Sequence, residues 1–357
     1  MILKNGYDVL FPTHEQVYLF SKYREYFGQH IGLAVPDFDA IGRVQSKAEF
    51  AVLMDELQLP TPDSQIAASK FEILEHQQFP CYVKLVHSTA SLGVQMVTST
   101  EELRSTIEHF EKTGAWKEGE PIVLQQPGCG RQAVASAVFQ HGRLVGLACA
   151  DVLRTGIGGG AALRVSVSHP LVRVHVEKLG RELNWHGPIS VEYFYDSDKQ
   201  LPQYIEINPR VSETFNAELA GVPICDAVAR ISVGEHVESL PDAKPGVMTH
   251  NGFTVMIADA YNGASRLQLM KRLLDHWTNR GDLGSCESEI TRLREDPMSL
   301  IPAIAVILRL LISPKSAASL TRSTVDNYSL PHAAALMIDA LPNDYMENMV
   351  RSESLSR

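Results

Sequence analysis

Apolar and polar residues alternate along Ala133–Phe139, Leu144–Asp151 and Ala162–Ser168, the period of half-buried strands. The three runs follow one another closely, which predicts consecutive antiparallel strands. Other stretches change to helical spacing. Ser46 precedes a run over Lys47–Leu57 and Glu49 stands three residues after it, a helix-start signature; Pro60 and Pro62 end that helix. Glu101–Lys112 places Leu103, Ile107 and Phe110 on one side, and Leu171–Leu183 is also helical. Phe79–Val86 and Val94–Thr98 read as strands around a polar turn, and Ile122–Gln126 as a strand entering Pro127-Gly128-Cys129-Gly130. The first 45 residues predict a strand over Tyr7–Phe11, a helix over His14–Phe27 and a strand over Ile31–Val35, part of an open α/β unit. Helices are expected over Ser212–Leu219 and Ile224–Ser232, and beyond Pro241 the pattern is mainly helical.

Residues 187–223 carry the candidate chemistry. Ile189–Tyr195 and the run ending at Asn208 read as two strands joined by the polar stretch Asp196-Ser197-Asp198-Lys199-Gln200. A strand turns residues i, i+2 and i+4 to one face, so Glu206, Asn208 and Arg210 share a side. Pairing the two runs brings Glu192 close to Glu206. Two carboxylates and an amide oxygen are hard ligands of the kind Mg²⁺ takes, alongside substrate phosphates. The guanidinium adds a planar fork suited to a phosphoryl group or a carboxylate. A solvated, charged hairpin face is the competing interpretation for any one of these acids.

This ordered set resembles the metal-binding end of the ATP-grasp superfamily, where a Glu in one strand and Glu-x-Asn-x-Arg in the next hold Mg²⁺ and the γ-phosphate of ATP. The segment Ile205–Ser212 followed by Ala220-Gly221-Val222-Pro223 is similar to the carbamoyl-phosphate-synthase-related branch. The resemblance implies an α/β (α+β) chain with three parts. These are a shortened, Rossmann-like pre-ATP-grasp unit over 1–45, an ATP-grasp domain over 46–235 and a mainly helical C-terminal region over 236–357. Relatives usually begin with a complete Rossmann-like domain, so this chain is expected to start inside one.

Further residues acquire roles through the same resemblance. Phe79-Pro80-Cys81-Tyr82-Val83-Lys84 matches the family's F-P-x-x-V-K strand, whose lysine reaches the α- and β-phosphates, and Lys47 resembles the second phosphate-reaching lysine. Ser88-Thr89-Ala90-Ser91-Leu92-Gly93-Val94 occupies the place of the loop that closes over the phosphates, where hydroxyls and backbone N–H groups can bind an anion. Gln125, Gln126, Pro127 and Gly128 resemble the hinge that reads the adenine edge. Many relatives carry acids for the ribose, where Gln126 and Gln132 stand here.

The glycine-rich stretch Arg154–Arg164 has two readings. Gly156-x-Gly158-x-x-Ala161 fits a loose dinucleotide pattern, but that pattern must open a helix, and Ala162–Ser168 alternates like a strand. The resemblance instead makes it an acceptor and phosphate-contact turn, with Arg164 at an acyl-phosphate oxyanion and Arg154 at a substrate carboxylate; surface arginines remain the alternative. His87 and His186 lie near motif residues, and neither stands out as a general base.

Composition narrows the field. At 357 residues, 45% hydrophobic and 21% charged, the chain can bury a substantial core in two or three units. A net charge of −10 argues against broad nucleic-acid binding. Cys81, Cys129, Cys149, Cys225 and Cys286 form no C-x-x-C pair or zinc spacing, which suits reduced thiols and, with no signal-peptide pattern at the start, a cytoplasmic location. Leu300–Ile312 is strongly apolar, yet too short for a bilayer span of about 20 residues; a buried or partner-packing helix and membrane-surface contact both fit it.

The resemblance therefore implies an ADP-forming, ATP-dependent ligase joining a small-molecule carboxylate to an amine or thiol through an acyl phosphate, with Mg²⁺ (or Mn²⁺) as cofactor. In that scheme Glu192, Glu206 and Asn208 hold the metal. Lys47, Lys84, Ser88, Gly93 and the 125–128 hinge hold the nucleotide, and Arg210 and Arg164 act at the reacting group. Alternatives are a bicarbonate-activating, carbamoyl-phosphate-type enzyme and an ATP-binding regulatory module without turnover. Homodimerisation is a family-level expectation.

Overall fold

A computed structural model of the chain describes residues 6–88, 93–156, 159–212, 214–278, 280–281, 284, 286–289, 296–320 and 330–349. In chain order the elements are α1 (Val17–Lys22), α2 (Arg24–Gly28), α3 (Phe38–Gln45), α4 (Lys47–Glu56), β1 (Ser64–Ala67), α5 (Lys70–Leu74), β2 (Cys81–Leu85), β3 (Val94–Val97), α6 (Thr100–Thr113) and β4 (Ile122–Gln125). Next come β5 (Arg131–Gln140), β6 (Arg143–Thr155), β7 (Ala161–Val167), α7 (Pro170–Glu182), β8 (Gly187–Asp196), β9 (Leu201–Asn208), α8 (Phe215–Leu219) and α9 (Ile224–Ser232). The remainder holds β10 (Met248–His250), α10 (Gly252–Tyr261), α11 (Arg266–Trp277), β11 (Glu287–Ser288), α12 (Leu300–Ile312) and α13 (His332–Ala340).

Two sheets organise these elements. A four-stranded antiparallel sheet runs β1-β4-β2-β3, and a seven-stranded sheet runs β11-β10-β7-β6-β5-β8-β9. Alternation explains how the larger sheet is covered. Ala133, Ala135, Ala137 and Phe139 of β5 join Val172, Val176 and Leu179 of α7 in one core. Val138 of the same strand packs on the opposite face with Ala227, Val228 and Ile231 of α9. The smaller sheet has its own core around Val83, Leu124, Leu103 and Ile107. Ser46 caps α4 by accepting from the Glu49 N–H, so the helix starts where the capping pattern puts it.

The N-terminal segment departs from the expectation. Tyr7–Phe11 and Ile31–Val35 meet only through a single parallel bridge, Val9 to Gly32. Alternation marks a segment able to pair, but a strand needs a ladder beside it. The expected helix His14–Phe27 is broken at Tyr23, whose φ of −110° and ψ of 28° leave the helical region. Helix α3 and strand β1 had no counterpart in the pattern reading, and the helix expected from Ser212 covers only Phe215–Leu219. The C-terminal region is mainly helical, yet it adds β10 and β11 to the large sheet, β10 pairing antiparallel with β7.

Candidate functional site

A cavity of about 590 Å³ lies between the two sheets. The four-stranded sheet contributes Tyr82, Lys84, Val94 and Gln125, and the large sheet contributes Gln132, Val134, Arg164, Glu192, Glu206 and Asn208.

The acidic wall is built by strand pairing. Glu192 of β8 and Glu206 of β9 are direct cross-strand partners, and Ser190 stands opposite Asn208. Between these pairs and Tyr193–Tyr204 the register shifts by one residue. That bulge decides which way the acid points. Tyr204 and Ile207 lie in the core beneath the sheet, whereas Ile205 and Glu206, adjacent in sequence, both line the cavity. Without the extra residue, strict alternation from Tyr204 would carry Glu206 into the core.

Around this wall runs a chain of polar contacts. Asn208 donates through Nδ2 to Glu192 (3.3 Å), and its Oδ1 accepts from Arg210 (3.1 Å). Arg210 also donates to Ser212 Oγ (2.7 Å) and, through Nε, to Glu15 (3.2 Å). Glu15 is buried, and its other carboxylate oxygen accepts from Gln45 (2.9 Å). Gln132 reaches Glu192 at 3.5 Å and the Gly159 carbonyl at 3.3 Å.

Two lysines face the acids. Lys84 is buried and donates to Gln125 Oε1 at 2.6 Å. Burial pushes its ammonium down to about 8, against the pull of Glu206. Lys47, also buried, donates to the Ser88 carbonyl (3.0 Å) and lies 3.8 Å from Glu206. The positive charge is thus held ready beside carboxylates that a divalent cation would neutralise.

The donor set suits such a cation. Among the described residues there is no group of three or more His, Cys, Asp or Glu placed to hold a metal. Two carboxylates and one amide oxygen are what Glu192, Glu206 and Asn208 offer. A site of that composition fits Mg²⁺, which keeps water and phosphate oxygens in its remaining positions.

Residues 164–240 match the family model described as carbamoyl-phosphate synthase L chain, ATP binding domain. The carbamoyl phosphate synthase large chain of Thermomicrobium roseum is 25% identical over 208 residues, 56% of this chain and 19% of that protein. The chain spans about a fifth of the length of the curated relatives it matches. A biotin carboxylase from Campylobacter jejuni, solved as a β-γ-ATP complex, superposes with a TM-score of 0.57 at 16% identity, covering 68% of this chain and 58% of that one. The biotin carboxylase domain of Hydrogenobacter thermophilus 2-oxoglutarate carboxylase gives 0.57 at 18% identity, covering 69% and 58%. The fold is ATP-grasp.

Within this ATP-grasp fold the residues singled out by sequence divide into two groups. Lys84, Gln125, Gln126, Gly128, Arg164, Glu192, Glu206, Asn208 and Arg210 line the cavity. Lys47, Ser88, Gly93 and Pro127 are not among its lining residues, although Lys47 lies 3.8 Å from Glu206. Residues 89–92 of the phosphate loop and residues 157–158 of the glycine-rich turn lie outside the described residues. Gly128 has a steric reason for its identity: a Cβ there would sit 2.3 Å from the Phe194 ring. Gln126 donates to the Gln78 carbonyl at 3.0 Å, and its own N–H bonds to Asp63 O, so this segment is tied to the residues just before β1 and just before β2.

The arginines of the glycine-rich stretch are placed otherwise than a turn would place them. Strand β6 runs four residues past its expected end, Asp151, so Arg154 is a strand residue; it pairs with Asp259 of α10. Arg164 is buried within β7, with Nε 3.0 Å from Glu289, which also accepts from Thr249 Oγ1 (2.6 Å). No helix opens after the glycines, since Ala161–Val167 is a strand, and the dinucleotide reading falls with it. His87 and His186 do not line the cavity; burial holds each imidazole down at about 4. Glu15, Asp259, Glu289, Thr13, His14 and Thr254 escaped the sequence reading. Each arrives from a distant segment, and no local spacing marks it.

Proposed function

We propose that this chain binds Mg-ATP between its two sheets and uses it to activate a carboxylate. A carboxylate oxygen attacks the γ-phosphorus, the bond to the β-phosphate oxygen breaks, and ADP leaves an acyl phosphate behind. An amine or thiol then adds to the carbonyl carbon and inorganic phosphate departs. The single observation that carries the reading is the direct pairing of Glu192 with Glu206 on a cavity wall that also holds Lys84.

Glu192, Glu206 and Asn208 would hold Mg²⁺, whose chemistry is to shield phosphate charge and polarise the phosphoryl oxygens. Lys84 and Lys47 would neutralise the nucleotide phosphates, with Ser88 and Gly93 assisting beside them. The 125–128 segment would receive the base. Arg210, oriented by Glu15, balances charge on the transferring group. Arg164, fixed by Glu289, presents a guanidinium at the acceptor edge. Positioning and charge neutralisation are the main requirements of such a transfer.

A second reading makes bicarbonate the carboxylate. It is favoured by the similarity to carbamoyl phosphate synthase large chains and to a biotin carboxylase domain solved with MgADP and bicarbonate. One experiment separates the cases. Purified protein is incubated with Mg-ATP and pools of amino acids, other carboxylates or bicarbonate, while ADP and phosphate are followed, with Glu206→Gln as control. Release stimulated by an organic carboxylate and a nucleophile supports the ligase. Release that needs only bicarbonate supports the second reading. ATP binding without stimulated release across the panel leaves a nucleotide-binding regulatory module and ends the ligase proposal.

A further inference from the structure

Helices α11 and α12 pack together through a small core that includes Leu269 and Leu310, both fully buried. Their other sides carry apolar residues into solvent. On α12, Ile301, Ile304, Leu308 and Ile312 recur at helical spacing and are 44–70% exposed. On α11, Leu267, Met270 and Leu274 repeat the pattern at 55–76%. Single exposed leucines are ordinary, whereas two neighbouring helices that each present an apolar stripe mark a contact surface.

Charge identifies the partner. Arg266, Lys271, Arg309 and Lys315 are exposed on these helices and the turn after them. The segment 297–320 contains no acidic residue, in a chain whose net charge is −10, and on α11 the one acid, Asp275, pairs with Lys271 at 2.9 Å, so Arg266, Arg309 and Lys315 carry the basic rim. An apolar helix face rimmed by basic side chains is the composition that lies in the plane of an anionic bilayer. Among the described residues no helix is long and apolar enough to cross a membrane, so the contact is with its surface. A symmetric pairing of two copies through this face would bring like charges together.

We propose that the α11–α12 face docks this protein on an anionic lipid surface, the apolar stripes entering the headgroup boundary and the basic side chains meeting lipid phosphates and carboxylates. The inference does not depend on the reaction proposed for the cavity.

The test is co-sedimentation of the full chain with sucrose-loaded vesicles of phosphatidylcholine alone or mixed with phosphatidylserine. Phosphatidylserine should raise partitioning by about tenfold or more at low salt, and added salt should reverse the gain. Ile304→Asp with Leu308→Asp should remove binding to both vesicle types. Arg309→Glu with Lys315→Glu should abolish only the phosphatidylserine dependence. Circular dichroism checks folding; if the aspartate pair fails to fold, the charge-reversal pair decides. Three outcomes would overturn the proposal. They are no binding of the unaltered protein to phosphatidylserine vesicles, binding that both pairs leave unchanged, or a dimer by light scattering that Ile304→Asp with Leu308→Asp dissolves while vesicle binding is absent.

Discussion

Glu15 and Arg210 meet across 195 residues of chain, with the guanidinium Nε 3.2 Å from a carboxylate that is only 4% exposed. The N-terminal segment thereby sets the direction of a side chain beside the acidic wall. Arg210 cannot swing toward Glu192 or Glu206 while Glu15 and Ser212 hold it. Glu15→Ala would strand a largely buried guanidinium and is expected to cost about 3 kcal/mol of stability. Glu15→Gln keeps a hydrogen-bond acceptor and should cost less. Urea unfolding of both variants, beside ATP-dependent phosphate release, checks the order; equal stability of Glu15→Ala and the unaltered chain would refute the clamp.

The acid pair makes a separate prediction about the cation. Glu192 and Glu206 stand directly opposite each other, a costly arrangement for two carboxylates unless positive charge lies close by. Lys47, 3.8 Å from Glu206, supplies part of it. Glu206→Gln removes one formal negative charge while preserving shape. Calorimetric titration should show Mg²⁺ strengthening ATP binding in the unaltered protein, and that gain should fall by on the order of tenfold in Glu206→Gln. An undiminished Mg²⁺ effect would place the metal elsewhere.

Lys84 predicts how nucleotide binding responds to pH. Burial lowers its ammonium to about 8 in the free protein. Phosphate needs the charged form, so ATP affinity should decline as pH rises through 8, approaching tenfold per pH unit, with proton uptake on binding above that point. Stability runs the other way. An unfolded lysine titrates near about 10.4, so between the two values the unfolded chain binds the extra proton and the folded state gains stability as pH rises. That contribution is complete above the unfolded value and is lost as pH falls through the folded one. Calorimetry in buffers of different ionisation enthalpy measures the proton, and Lys84→Met should flatten both profiles.

Much of the architecture was legible because its elements are regular. The α4 cap, the Ile224–Ser232 helix and the alternation of β5 each follow from a local rule. Glu206 and Asn208 share a face for the same reason, yet the sequence Tyr-Ile-Glu-Ile-Asn alternates equally well with or without the bulge at Ile205. Only the packing of Tyr204 and Ile207 into one core fixes the side. The partners of the arginines were illegible for another reason. Asp259 and Glu289 stand 105 and 125 residues from Arg154 and Arg164, and nothing near either acid signals a pairing. Strand β10, three residues long, is too short for a period to show. The single bridge at Val9 marks the opposite error, a good pattern with nothing beside it to complete a ladder.

Gly130 offers a test of how tightly the loop between β4 and β5 fixes the acidic wall. It has φ of +95°, and a Cβ there would lie 2.1 Å from the Tyr195 carbonyl oxygen, three residues beyond Glu192 in β8. The backbone of that loop therefore approaches β8 more closely than any side chain permits. Gly130→Ala combines an unfavourable left-handed conformation with a clash against main chain, which cannot yield as a flexible side chain could. A loss of about 3 kcal/mol is expected. Because β5 and β8 pair from Arg131–Tyr195 to Phe139–Gly187, the displacement should propagate to Glu192 and weaken Mg-ATP binding as well as stability. Gly114→Ala is the control: it is also left-handed, with φ of +70°, but no atom lies within 4 Å of its added Cβ. It ends α6, remote from the acids, so it should lose stability through backbone strain alone and leave nucleotide affinity unchanged. If both variants bind Mg-ATP equally well, the close approach at Gly130 does not govern the site.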